Sequence, residues 1–129
     1  MKFANYILLF SVLTLLCSCN RDDDDDVPPD PIGKVFGQAM HHDEPIPNTT
    51  IYIKYGVMEF PGIDPLLYDD QVTATGPDAT FEFNGLGKGN YYLFGVGFDE
   101  ACPCDVIGGI PVVLHSDEAT FETIVPITE

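Results

Sequence analysis

Positive charge is scarce in this sequence: five lysines and arginines stand against 21 aspartates and glutamates, a formal charge of −16. Such a field repels nucleic acid and anionic lipid surfaces, so neither is expected to bind the folded part. Long apolar runs are missing as well. Ile7–Leu16 (ILLFSVLTLL) is the main one, and it is too short to cross a bilayer, which takes about 20 residues. From Ile32 onward there is no helical periodicity, no glycine-rich phosphate cradle, and no nucleophile with a base at workable spacing. Catalysis is therefore not expected.

The N-terminus carries the clearest signal. Lys2, the apolar run and the small residues after it have the three-part layout of a secretory leader. Ordinary cleavage wants an Ala-x-Ala-like site, and none is present. Leu16-Cys17-Ser18-Cys19 instead resembles a bacterial lipobox, with Leu three positions before the modified cysteine and small Ser one before it. That selects Cys19, because bulky Leu16 would occupy the small-residue pocket ahead of Cys17. The resemblance implies that residues 1–18 are removed as a lipoprotein signal peptide. It also implies a thioether-linked diacylglycerol on Cys19 and a third, palmitate-like chain on its amine. Two or three such chains make attachment effectively permanent.

Residues 19–31 read as a tether. The carboxylates Asp22 to Asp26 repel one another and must stay solvated, and the prolines of Val27 to Pro31 favour extended backbone. An acidic run directly after an acylated cysteine also resembles the export signal of surface-displayed lipoproteins of some Gram-negative bacteria. The implied location is the outer membrane, facing the cell exterior. A solubilising linker facing the periplasm is the alternative.

Residues 32–129 are long enough for one domain. They keep 15 acidic and three basic side chains, a charge of −12. Short β-branched and aromatic runs alternate with Gly, Pro, Asn and Asp clusters, which points to an all-β domain. Seven strands are expected, over Lys34 to His42, Thr49 to Val57, Asp70 to Gly76, Thr80 to Asn84, Asn90 to Phe98, Ile110 to His115 and Ala119 to Ile127. Together they suggest a seven-stranded antiparallel β-sandwich. Alternation puts Ile51, Ile53 and Tyr55 on one face, Phe81 and Phe83 on one face, and Phe121, Thr123, Val125 and Ile127 on one face. Pro126 makes the last strand an edge or gives it a bulge.

Gly33-Lys34-Val35-Phe36-Gly37, Pro45 to Ile51, Phe81-Glu82-Phe83 and Leu86-Gly87-Lys88-Gly89-Asn90-Tyr91-Tyr92-Leu93 resemble, in that order, the carboxypeptidase regulatory-like domains. These are small sandwiches of the prealbumin (transthyretin-like, Ig-like) type. The most specific piece is Leu-x-x-Gly-x-Tyr-x-Leu, in which Gly89 permits a positive φ and the Tyr91 hydroxyl ties a strand corner. The family's Thr-Asp-x-x-Gly turn is replaced here by Thr75 to Ala79, so Gly76 or Asp78 is expected in an unusual conformation. The resemblance implies a non-catalytic accessory or adhesive module and names no ligand.

If successive strands reverse direction, His41-His42 and the loop Asp99 to Gly109 (DEACPCDVIGG) share the end of the sandwich away from the tether. Cys102 and Cys104, with His41 or His42, would supply the mixed thiolate and imidazole set that zinc or copper(I) prefers. In an oxidising compartment the two cysteines would instead close a disulfide. His115-Ser116-Asp117 are too close in sequence to build a catalytic triad. Asp64, Asp69 and Asp70 lack the spacing of a calcium loop. Phe60, Ile63, Leu66 and Leu67 in the insertion Glu59 to Leu67 are expected to close the bottom of the sandwich, or else to serve a functional loop. Tyr52, Tyr68, Tyr92 and Phe94 would form a sugar-stacking surface or pack across strands.

The combined expectation is a lipid-anchored surface protein that displays a binding module and needs no cofactor. Its partners would be the membrane, through the anchor, and an outer-membrane transporter, another surface protein or a glycan. Metal handling at the distal cysteines and histidines is the alternative.

Overall fold

A computed structural model describes residues 28–129. The expected signal peptide, Cys19 and the aspartate run therefore lie outside the described residues. Eight strands follow one another: β1 (Gly33–His41), β2 (Glu44–Pro45), β3 (Thr50–Tyr55), β4 (Asp70–Thr73), β5 (Thr80–Leu86), β6 (Gly89–Asp99), β7 (Cys104–Leu114) and β8 (Thr120–Pro126), with one 3₁₀ turn at Pro65–Leu67. Among these residues no helix is long and apolar enough to cross a membrane. The strands form two four-stranded sheets, one with β1 between β8 and the β2/β5 side, the other in the order β4-β3-β6-β7.

Between the sheets lies one core of alternating side chains. Val35 and Ala39 of β1, Phe81 and Phe83 of β5 and Val125 of β8 meet Ile51, Ile53, Leu93, Val106, Val112 and Leu114 of the other sheet. The chain is thus a β-sandwich whose charged residues face outward, as in Glu82, which pairs with Lys34 on the surface, while Thr49 and His41 are buried.

The expected count of seven strands becomes eight. The added strand is β2, formed because the chain reverses at once after β1: His42 and Asp43 both have positive φ (49° and 67°), and His41 pairs with Glu44. Two left-handed residues in a row are what a two-residue hairpin needs, and His and Asp tolerate that region better than most residues.

Nor is the sandwich wholly antiparallel. β8 runs parallel to β1, from Lys34↔Thr120 to Met40↔Pro126. Gly37 makes this possible, because a Cβ there would collide with the Thr123 backbone. Pro126 ends an edge strand, where its missing donor is harmless.

β7 is the largest departure from the expected ranges. It starts at Cys104 rather than Ile110 and pairs with β6 in an unbroken ladder from Gly89↔Leu114 to Asp99↔Cys104. Gly108 lies in that strand because the backbone of Pro126 and Ile127 leaves no room for a side chain. In the turn before β5 the positive φ belongs to Gly76 (74°) and Ala79 (49°). Asp78 does not share it.

Candidate functional site

Two regions concentrate unusual side chains, one at each pole. The near pole is where the chain enters at Ile32. There the Asp117 carbonyl accepts from the Ile32 amide and the Asp117 carboxylate accepts from the Lys88 amide at 2.7 Å. Asp117 therefore serves the strand connections, beside an exposed His115. Tyr91 donates its hydroxyl to the Gly87 carbonyl at 2.6 Å, closing the corner between β5 and β6. Gly89 has φ 157°.

From this pole the loop Gly56 to Asp69 doubles back along the outer face of the β4-β3-β6-β7 sheet. Both of its ends are strapped down. The Gly56 amide donates to the Asn90 carbonyl at 2.8 Å. Asp69 accepts from the Tyr55 amide at 2.8 Å and from the Lys54 ammonium at 3.3 Å. The Tyr55 amide, ahead of the lysine, holds the Asp69 carboxyl below its usual range. Within the loop, Asp64 accepts from the Leu66 amide and caps the 3₁₀ turn, and Tyr68 donates its hydroxyl to the Gly62 carbonyl at 2.7 Å. Burial pushes the Tyr68 phenol up to about 12.

Beneath the loop is a second apolar cluster. Phe94 points away from the main core yet is only 1% exposed, because the rings of Phe60 and Tyr68 lie 5.2 and 5.6 Å from its own. Tyr52 and Tyr92 flank it, 5.5 Å from Tyr68 and 5.9 Å from Phe60 respectively. Tyr52 and Phe94 pair across β3 and β6, with their rings 6.3 Å apart, while Tyr68 packs on them from the loop, so a sugar ring has no free Phe94 face to stack on.

The insertion does not close the bottom of the sandwich. Met58, Ile63, Leu66 and Leu67 point into solvent, Leu66 at 91% exposure. Val57 to Pro61 also bound an open recess of about 500 Å³. Asp64 is occupied by the Leu66 amide and Asp69 by the Tyr55 amide and Lys54 at the end of β3, and among the described residues the aspartates of GIDPLLYDD form no ligand cluster.

The far pole carries the cysteines. His41 ends β1 and Asp99 ends β6, so the two expected segments do meet: His41 Nδ1 donates to Asp99 Oδ2 at 2.7 Å. That bond, followed by one from the Ala101 amide, lowers the Asp99 pKa. His41 is 3% exposed, and its Nε2 is buried with no hydrogen-bond partner. Cys102 and Cys104 are joined by a disulfide, with their Cα atoms 5.2 Å apart, across the turn from β6 to β7.

Ligand atoms of His41, Asp99 and Cys102 lie within 4.8 Å of one another. His42 and Cys104, both named in the sequence-based metal set, stand outside this group. The His42 ring stacks on His41 at 4.0 Å from the solvent side. Cys104 opens the β7 ladder opposite Asp99. Asp99, named in the sequence only as the first residue of the distal loop, takes a central place, and the full β6–β7 hairpin that puts it there was hidden by the glycines.

No protein-family model matches the chain, and no curated protein matches it. Three solved structures are similar to the chain to differing degrees. The major pilin subunit of Bacillus cereus superposes with a TM-score of 0.50 at 9% identity, over 75% of this chain and 30% of the pilin. At that identity the likeness is one of fold. A DUF3823 family protein from Parabacteroides merdae gives 0.44 at 16% identity, over 76% and 46% of the two chains. A proposed carbohydrate-binding protein from Pseudomonas aeruginosa gives 0.47 at 12% identity, over 74% and 88%. The chain spans less than half the length of the first two.

Proposed function

We propose that the chain is a surface lipoprotein of the outer membrane, acylated at Cys19. It displays a non-catalytic sandwich of the carboxypeptidase regulatory-like, prealbumin type on an acidic tether. The observation that carries the display role is the Gly56 to Asp69 loop. A loop fastened at both ends and internally holds Ile63, Leu66 and Leu67 out in water with little freedom left to lose. Apolar side chains held out in this way gain by being covered, and a rigid presenter lowers the ordering cost of contact. The partner is a protein surface, such as that of an outer-membrane transporter, or a glycan held between the loop's apolar side chains. Anchoring raises the effective concentration of the module beside that machinery, so weak contacts suffice.

Mass spectrometry of the mature N-terminus tests the anchor: the expected product begins at a diacylglyceryl, N-acylated Cys19, and an unmodified chain free in solution refutes it. Protease shaving of intact cells tests the face, with the sandwich digested if it is displayed and spared if it points into the periplasm. A second reading, metal handling, is favoured by the His41, Asp99 and Cys102 group alone.

A further inference from the structure

We infer that the far pole is a redox-gated zinc site: reduction of the Cys102–Cys104 disulfide frees two thiolates beside His41, and the two sulfurs and the His41 Nε2 then hold one zinc ion, with Asp99 orienting the imidazole through Nδ1. The site is independent of the anchor and of the loop.

Placement comes first. Ligand atoms of His41, Asp99 and Cys102 already lie within 4.8 Å of one another. Zinc, with bonds of about 2.0–2.3 Å, keeps its ligands roughly 3–4 Å apart, so a modest closure of the exposed turn completes the set. Cys104 follows two residues after Cys102 and is within bonding reach of it. Asp99 also lines an open groove of about 500 Å³ with Ile46, Asn48, Phe98 and Glu100, which gives an ion a path from solvent.

The second argument is an unfilled bonding capacity. His41 is pinned in the core margin, one ring nitrogen bound to Asp99 and the other buried without a partner. Buried polar atoms are rarely left this way without a reason. An imidazole held by a carboxylate is the arrangement that fixes ring orientation and raises basicity in metal centres.

Charge gives the third. Lys34, Lys54 and Lys88, the basic residues of the described chain apart from histidine, sit at the start of β1, near the end of β3 and in the β5–β6 connection, all at the near pole. Asp43, Glu44, Asp78, Asp99 and Glu100 all sit at the far one. The unbalanced negative field there draws cations. Two thiolates and an imidazole suit zinc, whereas calcium or magnesium would want oxygen throughout.

Gating follows from the bond that now ties up the sulfurs. A dithiol donor attacks the disulfide through a mixed disulfide, passes two electrons and two protons to Cys102 and Cys104, and is itself oxidised to a disulfide. Zinc then displaces the two thiol protons as it binds. Exchange with an external disulfide, which takes the two electrons and is reduced to a dithiol, re-forms the Cys102–Cys104 bond and releases the ion.

The test uses the full chain in detergent, stripped of metal and incubated with zinc, with and without a phosphine reductant that does not compete for it. After desalting, about one zinc per chain is expected under reduction and none without it. Cys102→Ser and Cys104→Ser should each abolish retention, Asp99→Asn should weaken it by roughly 10–100-fold, and His42→Ala should leave it unchanged. Because a His41 variant risks unfolding the core margin, cobalt(II) serves as a second readout: thiolate-to-cobalt charge-transfer absorption in the reduced wild type, absent in Cys102→Ser. A reduced chain free of zinc, equal binding by the oxidised chain, or wild-type retention in Cys102→Ser overturns the proposal.

Discussion

The ring of Phe60 lies 5.2 Å from that of Phe94, a residue on the outward side of its own strand that is nevertheless sealed from water. Together with the Tyr68 ring at 5.6 Å, this contact turns an exposed sheet face into a small second core and makes the loop above it part of the folded structure. Phe94→Ala is expected to cost about 3–5 kcal/mol, the range for a large buried aromatic. Leu66→Ser should change stability by no more than about 0.5 kcal/mol, since Leu66 touches little. Urea melts of the two variants check this, and a Leu66 effect as large as that of Phe94 would contradict the loop's outward presentation.

Tyr91→Phe removes the hydroxyl that donates to Gly87 and leaves the ring in place. The expected loss is about 0.5–1.5 kcal/mol, read from the denaturant midpoint at unchanged slope.

Acid should loosen the loop before the sandwich. Asp69 has a folded pKa below its unfolded value, chiefly through the Tyr55 amide. Its contribution is therefore complete above the unfolded value of about 3.9 and is lost as pH falls through the lower, folded one. Hydrogen exchange at the Tyr55 amide should rise across that window, relative to amides in β1, and Asp69→Asn should remove the pH dependence.

Gly37→Ala places a methyl group against the Thr123 backbone. β8 cannot keep its register beside β1, and a loss of roughly 3 kcal/mol or more is expected. A thermal melt measures it. Gly56→Ala, at φ 78° with open space around it, should be milder and act only through backbone strain.

Much of the sandwich was readable from side-chain alternation. Ile51 and Ile53, and Phe81 and Phe83, point inward as their period of two requires. Tyr55 and Phe121 share those faces but stay exposed, because each lies at a strand end beyond the cover of the opposite sheet. Alternation carries no direction, so nothing in Phe121 to Ile127 announced that β8 lies parallel to β1. Gly108 and Gly109 read as a turn by composition; they are glycines because neighbouring backbone passes too close for a Cβ. That substitution of a packing reason for a turning reason hid half of β7, and with it the pairing of Asp99 opposite Cys104. The meeting of His41 with the Asp99 segment was legible from strand reversal alone. The place of Asp99 in the cluster, and the exclusion of His42, depended on side-chain directions at a turn with two left-handed residues.

The parallel course of β8 beside β1 has a practical outcome. Strand β1 leaves Ile32 and β8 finishes at Pro126 beside Met40, so the polypeptide comes in at one extremity and goes out at the other. An epitope or fluorescent protein appended after Glu129 would emerge within reach of the cysteine pair, and would report how open that extremity is to antibodies while crowding whatever docks there. Joining Glu129 to Ile32 to make a circular permutant of the sandwich would need a linker running its whole length.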